Sequence, residues 1–489
     1  MIIKKFIKKN LTLSILILIL AFSFLIRIYD LQNENLWPDE AVTIYNAHKP
    51  VSHNIQWSLS LGYFPLYHII LSIWEKFFGL REFSVRFLSV IFGVFSVYMA
   101  YRIGGLMFNK RVGLYSAIII ALSPFNVYYS QEARIYTMFV LLTLLSVYFY
   151  VKYIKSIKNK DLIYYIIFTL LMLNSFGSAI FILIFQNMHY FLFVRKNLKK
   201  WIITQFAVFI LFLPLALIVI KSMLELSQYL VVSKPDLITL IRTFYIFSAG
   251  TTYKLESLIF GGILSILFSL LILLIIINIY KDIKNKDYSK ISNVAFLLLW
   301  LAIPIFLLIL QSYMFYSLYF ERYILASSIA LYMLVALSIS KLKYKAQLFA
   351  VLAIILVSSA ILYIDFTTLD KGDWKDTADY ININKHEKDF VIVHVPRSIY
   401  SLAYYSYQEC FKSDNLTKCM SEKNIYGVKN ADELPVEATR SNKVFLLLFN
   451  EKYIDREGTL LKYFSSNYNL IEKKEYAHIQ IFTFEKPNI

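Results

Sequence analysis

The chain has 489 residues, of which 58% are hydrophobic, 17% aromatic and 17% charged, and its 50 Lys and Arg exceed 33 Asp and Glu to give a formal charge of +17. Soluble domains are about 45–50% apolar and about 25% charged, so this composition, with a mean hydropathy of +0.57, excludes an ordinary cytosolic enzyme. The basic residues sit in short clusters between apolar runs instead of on one face interleaved with stacking aromatics, which argues against a nucleic-acid partner.

Apolar runs near the roughly 20 residues that cross a bilayer occur at 11–29, 84–107, 112–129, 134–153, 161–176, 177–194, 200–220, 257–280, 292–311, 323–340 and 346–364. They predict an α-helical polytopic membrane protein of about eleven transmembrane helices. Only Asn174, Ser175, Phe176, Gly177 and Ser178 divide the pair at 161–194, which reads as a tight hairpin or one long kinked helix. The first run is long and is followed by no small-residue cleavage site, so it is expected to be a retained helix and not a signal peptide.

Orientation follows from the loops, because cytoplasmic connections carry the excess of Lys and Arg. With a cytoplasmic N-terminus, the inside segments hold Lys4, Lys5, Lys8 and Lys9; Lys110 and Arg111; Lys152, Lys155, Lys158 and Lys160; Arg195, Lys196, Lys199 and Lys200; Lys281, Lys284, Lys286 and Lys290; and Lys341, Lys343 and Lys345. The short outside connections hold only Arg134 and Arg322. The expectation is a multi-pass protein of the cell membrane with an extracytoplasmic C-terminus, and the charge excess then needs no polyanionic partner.

Two outside loops, 30–83 and 221–256, and a soluble tail from 365 to 489 are too long or too polar to be connectors. The stretch from Pro65 to Phe78 contains Glu75 and Lys76 and reads as an in-plane helix rather than a further span. In the tail, Asp373 caps a helix from Trp374 to about Asn382. Strands are expected at 390–395 and 444–449, helices near 399–409 and 452–465, and a hairpin over 469–484. The predicted organisation is a membrane module over 1–364 and an extracytoplasmic α/β domain over 365–489 with a partly parallel sheet. Cys410 and Cys419 support no metal site; they can pair if the tail lies outside.

Charges not explained by topology collect at the outer ends of spans: Arg27, Asp30, Asp39, Glu40, Glu132, Arg134, Glu321 and Arg322. Adjacent carboxylates such as Asp39 and Glu40 can divide labour between proton acceptance and orientation or metal binding; they equally suit a helix N-terminus. Glu132 and Arg134, within Tyr128-Tyr129-Ser130-Gln131-Glu132-Ala133-Arg134-Ile135-Tyr136, read as an acidic site residue and a phosphate ligand, or as a salt-bridged pair in an interfacial belt. Arg suits phosphate because its planar fork bonds in a bidentate manner. Arg322 is either a second phosphate ligand or a helix-end anchor, and Arg27 either a ligand or a snorkelling arginine. His68 is either a ligand or proton carrier or, as lone interfacial histidines usually are, structural, and His189 is read as structural.

At these residues the chain resembles the polytopic GT-C glycosyltransferases related to protein O-mannosyltransferases and to the lipid A aminoarabinose transferase. The resemblance runs through Arg27, Leu36-Trp37-Pro38-Asp39-Glu40-Ala41, Tyr63-Phe64-Pro65-Leu66-Tyr67, Arg81-Glu82-Phe83-Ser84-Val85-Arg86-Phe87 and the 122–136 string. Glu321-Arg322-Tyr323 and Gly372-Asp373-Trp374-Lys375 echo it later. It implies inverting transfer of a sugar from a polyprenyl-phosphate carrier to an extracytoplasmic acceptor protein, glycolipid or cell-wall glycan. Carried over, Asp39 resembles the general base with Glu40 beside it. Glu132 resembles the second acidic residue, with Glu40 and Glu132 as candidate ligands of a divalent metal. Arg134, Arg322 and Arg27 are candidates for the donor phosphate. Where the family often has a charged or histidine-containing segment with two prolines, Leu61, Gly62, Tyr63 and Phe64 precede the single Pro65, so no metal ligand is carried over from there.

The alternative from another class is a transporter or a lipid-linked glycan flippase; repeated halves and midplane sites mark many transporters, and neither is evident here. A surface-polysaccharide polymerase would be expected to use a large outside loop rich in arginine and histidine, and 221–256 has only Arg242 and no histidine.

Overall fold

The computed structural model describes residues 2–227, 233–251, 254–284, 288–368, 371–449 and 457–487. Lys286, parts of the second outside loop at 228–232 and 252–253, and the start of the helix expected from 452 lie outside the described residues, as do the side chains of Lys4, Lys5, Lys8, Lys9, Lys281 and Lys290.

The first helices are α1 (Ile2–Ile28), α2 (Pro38–Ala47), α3 (Val51–Ser60), α4 (Leu66–Phe78), α5 (Glu82–Met107), α6 (Lys110–Leu122), α7 (Pro124–Ser130) and α8 (Tyr136–Ser156). They are followed by α9 (Asn159–Leu173), α10 (Ala179–His189), α11 (Leu198–Ser227), α12 (Leu237–Ala249), α13 (Leu255–Lys284), α14 (Tyr288–Met314), α15 (Leu325–Lys341) and α16 (Tyr344–Phe366). Among the described residues, eight helices are long and apolar enough to cross a membrane, or nine if α6 and α7, bent by 61° at their junction, count as one span. The regions at 161–194 form the 15-residue α9 and the 11-residue α10, the latter continued by a π turn over Tyr190–Val194. The chain is a multi-pass membrane protein. The stretch expected to lie in the membrane plane forms α4, at 13 residues too short to cross.

The chain divides into two compact units: Met1–Tyr29, Asn54–Ile70 and Arg86–Ile364 in the first, and Asp30–His53, Leu71–Val85 and Asp365–Ile489 in the second. The span containing α15 is the best-covered helix of the first unit, 89% buried. Its Ala326, Ser327, Ser328 and Ala330 are small enough for neighbouring backbones to approach closely.

The break between α6 and α7 has a local cause. Pro124 lacks the N–H that would bond Ile120 and occupies the first helical position of α7, where that loss costs nothing. Ser123 is extended, and its hydroxyl caps α7 by accepting from the Asn126 N–H at 3.3 Å. The Ser123 hydroxyl also bonds Tyr332 of α15 at 2.8 Å, and Tyr332 donates onward to the Phe247 carbonyl at 2.6 Å.

The second unit contains a five-stranded sheet of β1 (Phe390–His394), β2 (Ile425–Val428), β3 (Lys443–Phe449), β4 (Asn469–Tyr476) and β5 (Ile479–Glu485), in the order β2-β1-β3-β5-β4. β1 pairs in parallel with β2 and β3, and β5 is antiparallel to β3 and β4. The expected strands and hairpin are present; β2, four residues interrupted by Gly427, is additional. One face packs Ile392, Leu446, Leu448, Phe482 and Phe484 against Leu460 and Phe464 of a helix at Thr459–Asn467. Edge strand β4 is mostly exposed and carries Glu472, Lys473, Lys474 and Glu475, charges that discourage further strand pairing. α17 (Trp374–Asn384) is capped by Asp373, whose carboxylate accepts from the Asp376 N–H at 3.2 Å. α18 (Ile399–Ser406), α19 (Gln408–Lys412) and α20 (Leu416–Glu422) follow β1, and a disulfide joins Cys410 of α19 to Cys419 of α20.

Candidate functional site

In the first unit, Arg27 is fully buried near the end of α1. Its Nε donates to Ser130 Oγ at 3.1 Å, Nη1 to Ser23 Oγ at 2.7 Å and to the Ala121 carbonyl at 2.9 Å, and Nη2 to the Ile120 carbonyl at 3.1 Å. Ile120 and Ala121 end α6, and the break at Pro124 frees their carbonyls. A helix terminus needs outside partners for such groups, and a guanidinium from another helix supplies them.

Glu132 and Arg134 lie in the turn between α7 and α8. Glu132 is 1% exposed, and its carbonyl accepts from the Arg134 N–H at 2.8 Å. The Arg134 guanidinium lies 5.8 Å from the centre of the Tyr136 ring. From there the aromatic contacts continue from Tyr136 to Phe176 at 5.9 Å and from Phe176 to Tyr323 at 5.3 Å. Arg322 packs over Phe320 at 4.5 Å and Tyr323 at 5.6 Å. One aromatic run therefore carries Arg134 at one end and Arg322 at the other. Glu321 accepts from Arg242 Nε at 2.9 Å, a pairing across 79 residues that sequence spacing does not announce.

His68 of α4 is 5% exposed, shares a 3.0 Å hydrogen bond with the Ser58 hydroxyl and meets Trp57 edge-on at 5.1 Å. Burial, and secondarily the charge of Arg134, lower its pKa from 6.5 to about 3, so it is a neutral ring at physiological pH. His189 is held by Tyr150 at 2.7 Å and by Ser292 at 3.2 Å, a packed structural position.

In the second unit, Asp39 and Glu40 occupy the first turn of α2, after an extended Trp37 and with Pro38 at the first helical position. Proline there presets the backbone, and acidic residues there are favoured by the helix dipole. Adjacent residues on a helix point about 100° apart, and the two acids differ accordingly: the Asp39 side chain is 23% exposed and that of Glu40 is 0% exposed. Lys371 Nζ lies 3.5 Å from Glu40 Oε2 and 3.5 Å from Glu34 Oε2. Arg397, just beyond the end of β1, places Nη1 3.8 Å from Asp39 Oδ1. Neither cation is flagged by a motif in the sequence. Residues that end a parallel strand whose neighbours lie on both sides, as β1 does, occupy the usual crevice of an α/β sheet. That fold-level signal is the one that points to Arg397.

Among the described residues, no three or more His, Cys, Asp or Glu side chains gather in a metal-binding group. Glu40 faces the Lys371 ammonium, so its surroundings do not fit a cation ligand.

Residues 64–222 match the family model described as dolichyl-phosphate-mannose-protein mannosyltransferase. The undecaprenyl phosphate-alpha-4-amino-4-deoxy-L-arabinose arabinosyl transferase of Wigglesworthia glossinidia brevipalpis is 29% identical over 202 residues, 38% of this chain and 36% of that protein. The match thus spans about a third of the length of that curated relative. The oligosaccharyltransferase AglB of Archaeoglobus fulgidus, solved with an inhibitory peptide and a dolichol-phosphate, is similar with a TM-score of 0.57 at 15% identity, over 90% of this chain and 69% of that one. The same enzyme with Zn and sulfate gives 0.59 at 13% identity, over 95% and 73%. ArnT of Cupriavidus metallidurans bound to undecaprenyl phosphate gives 0.54 at 10% identity, over 96% and 97%. The chain thus shares its fold with the solved AglB and ArnT structures, and its N-terminal part matches transferases in sequence.

Proposed function

We propose that the chain is an integral membrane glycosyltransferase that moves a sugar from a polyprenyl-phosphate carrier to an extracytoplasmic acceptor, a protein, glycolipid or cell-wall glycan, with inversion. The observation that carries this reading is the pair at the start of α2: an accessible Asp39 beside a buried Glu40 that a lysine neutralises. Dolichol-phosphate and undecaprenyl phosphate in the GT-C neighbours support a lipid-phosphate carrier, and matches to transferases favour this reading over a transporter or flippase.

Asp39 acts as general base. Its carboxylate takes the proton of the acceptor hydroxyl or amine as that atom bonds the anomeric carbon, and the carbon–oxygen bond to the phosphate breaks, releasing polyprenyl phosphate. Arg134 and Arg322, presented along one aromatic run, meet the negative charge that develops on the leaving phosphate. Glu132 is the second acidic residue of the site. Arg27 acts as the clamp on the broken helix and not as a phosphate ligand, because its donors already serve protein acceptors. The arrangement around Glu40 does not fit a divalent metal, and no step is routed through one.

The proposed domains are the membrane module, 1–364, and the α/β domain, 365–489, although 30–53 and 71–85 fall in the compact unit of the latter; the N-terminus is cytoplasmic and the site and C-terminus are outside. The Cys410–Cys419 disulfide supports this orientation, since disulfides persist in oxidising compartments.

The test is Asp39→Asn assayed in membranes with a panel of radiolabelled polyprenyl-phosphate sugars. Loss of transfer by at least about a hundredfold is expected. Undiminished transfer removes Asp39 as base, and solute uptake without transfer by the unmodified protein favours a transporter.

A further inference from the structure

We propose that Lys371, from the C-terminal part of the chain, is a positioning residue for the acidic helix α2: its buried ammonium holds Glu40 and Glu34 in place beside the working carboxylate, Asp39. The proposal rests on the transferase reading above.

The Lys371 side chain is 4% exposed and shared between two carboxylates at 3.5 Å. A buried lysine keeps its charge only when paired, and a buried carboxylate likewise. Glu34, Asp39 and Glu40 lie within seven residues of one another, and like charges this close repel one another. A cation lodged among the three offsets that repulsion and fixes the carboxylates it touches. Asp39, 23% exposed, faces Arg397 Nη1 at 3.8 Å, while Lys371 engages the two other acids.

The backbone that follows Lys371 is fixed, which makes the ammonium a positioned charge. A Cβ on Gly372 would come within 2.8 Å of the Phe449 ring, so residue 372 is seated directly on the sheet. Asp373 caps α17 and accepts from Asn35 Nδ2 at 3.0 Å. The Leu36 N–H donates to Tyr405 OH at 2.8 Å, and Tyr405 donates to Glu82 at 2.8 Å. Residues 34–36, which lead into α2, are thus tied to 371–373 and to α18. At the other end of α2, Tyr45 OH donates to the carbonyls of Ser413 and Asp414 at 3.1 and 3.0 Å, inside the ring closed by Cys410–Cys419. Lys49 reaches Asp414 at 3.5 Å. The acidic helix is held at both ends by the C-terminal segment, and Lys371 is the contact that bears charge on its carboxylates.

The experiment compares the full-length protein with Lys371→Met and Lys371→Arg in lipid nanodiscs, measuring transfer from the radiolabelled polyprenyl-phosphate sugar against pH. Lys371→Met is expected to lower kcat at least about tenfold with the donor KM within about threefold. Its acidic limb should move up, because loss of a nearby cation disfavours a charged carboxylate. Lys371→Arg should recover most of both. Wild-type kcat and an unmoved acidic limb in Lys371→Met overturn the proposal. Should that variant fail to fold, Glu34→Gln/Lys371→Met removes the ammonium with less uncompensated charge, and the same comparison is made against Glu34→Gln. If the unmodified protein transfers no lipid-linked sugar, the transferase reading fails by itself. The pairing is then read from thermal unfolding: additive effects of Lys371→Met and Glu40→Gln overturn it, and a smaller combined loss supports it.

Discussion

A buried arginine is expensive unless every donor finds an acceptor, and Arg27 finds them on three segments of the first unit. Arg27→Met leaves the Ile120 and Ala121 carbonyls without that partner and should cost about 3 kcal/mol, seen as a lower unfolding temperature in detergent. A phosphate ligand at this position would instead raise the donor KM at unchanged stability, so the two measurements separate the roles. His68 gives a second test. Its folded pKa of about 3 lies below the unfolded 6.5, so the neutral ring stabilises the fold fully above pH 6.5. That contribution is lost as pH falls toward 3, because only the unfolded chain takes up the proton. The loss reaches about 2 kcal/mol at pH 5, and His68→Asn should flatten this part of the stability profile.

At the scale of elements, the bend of 61° between α6 and α7 sets the direction in which the turn bearing Glu132 and Arg134 leaves the bundle. Helix α5 comes close enough to this bend to need a glycine. A Cβ on Gly93 would lie 2.4 Å from Ser130 Oγ and 3.0 Å from Arg27 Nε, inside the bond that ties α1 to α7. Gly93→Ala should therefore destabilise by about 1–3 kcal/mol and lower transfer, while Gly105→Ala, where a Cβ meets nothing within 4 Å, should do neither; thermal unfolding and sugar transfer of the two variants check this. In α2, proline at the first position and two acids in the first turn are what any stable helix start favours. Its distinctive feature is the different burial of the two acids.

At the scale of the molecule, the Cys410–Cys419 bridge closes the short loop that receives Tyr45 and Lys49. A bridge across nine positions limits the unfolded chain by roughly 2.5 kcal/mol. Cys410→Ser/Cys419→Ser should lower the unfolding free energy of the second unit by about that amount, measured by chemical unfolding with and without reductant. Because the same loop holds the far end of α2, transfer activity should fall with it.

Hydropathy was sufficient to locate the long apolar helices of the membrane part, because crossing a bilayer imposes a length and a composition that show in the sequence; the 13-residue α12, inside the loop expected at 221–256, was too short to show. The strand and hairpin pattern of the tail was equally legible, except for β2, whose four residues around Gly427 lack an apolar run. The candidate acids and arginines were legible as residue types in order. Their environments were not: Arg27 on the carbonyls freed by Pro124, Arg242 on Glu321, and Lys371 between Glu34 and Glu40 are pairings across 79 to 337 residues. Such pairings depend on which segments fold back on one another, and no local periodicity encodes that. The sequence alone determined that the chain lives in a membrane and which groups can do chemistry. The tertiary structure decided which cation faces each of those carboxylates and how far each is buried, since burial and charge pairing are properties of the packed chain.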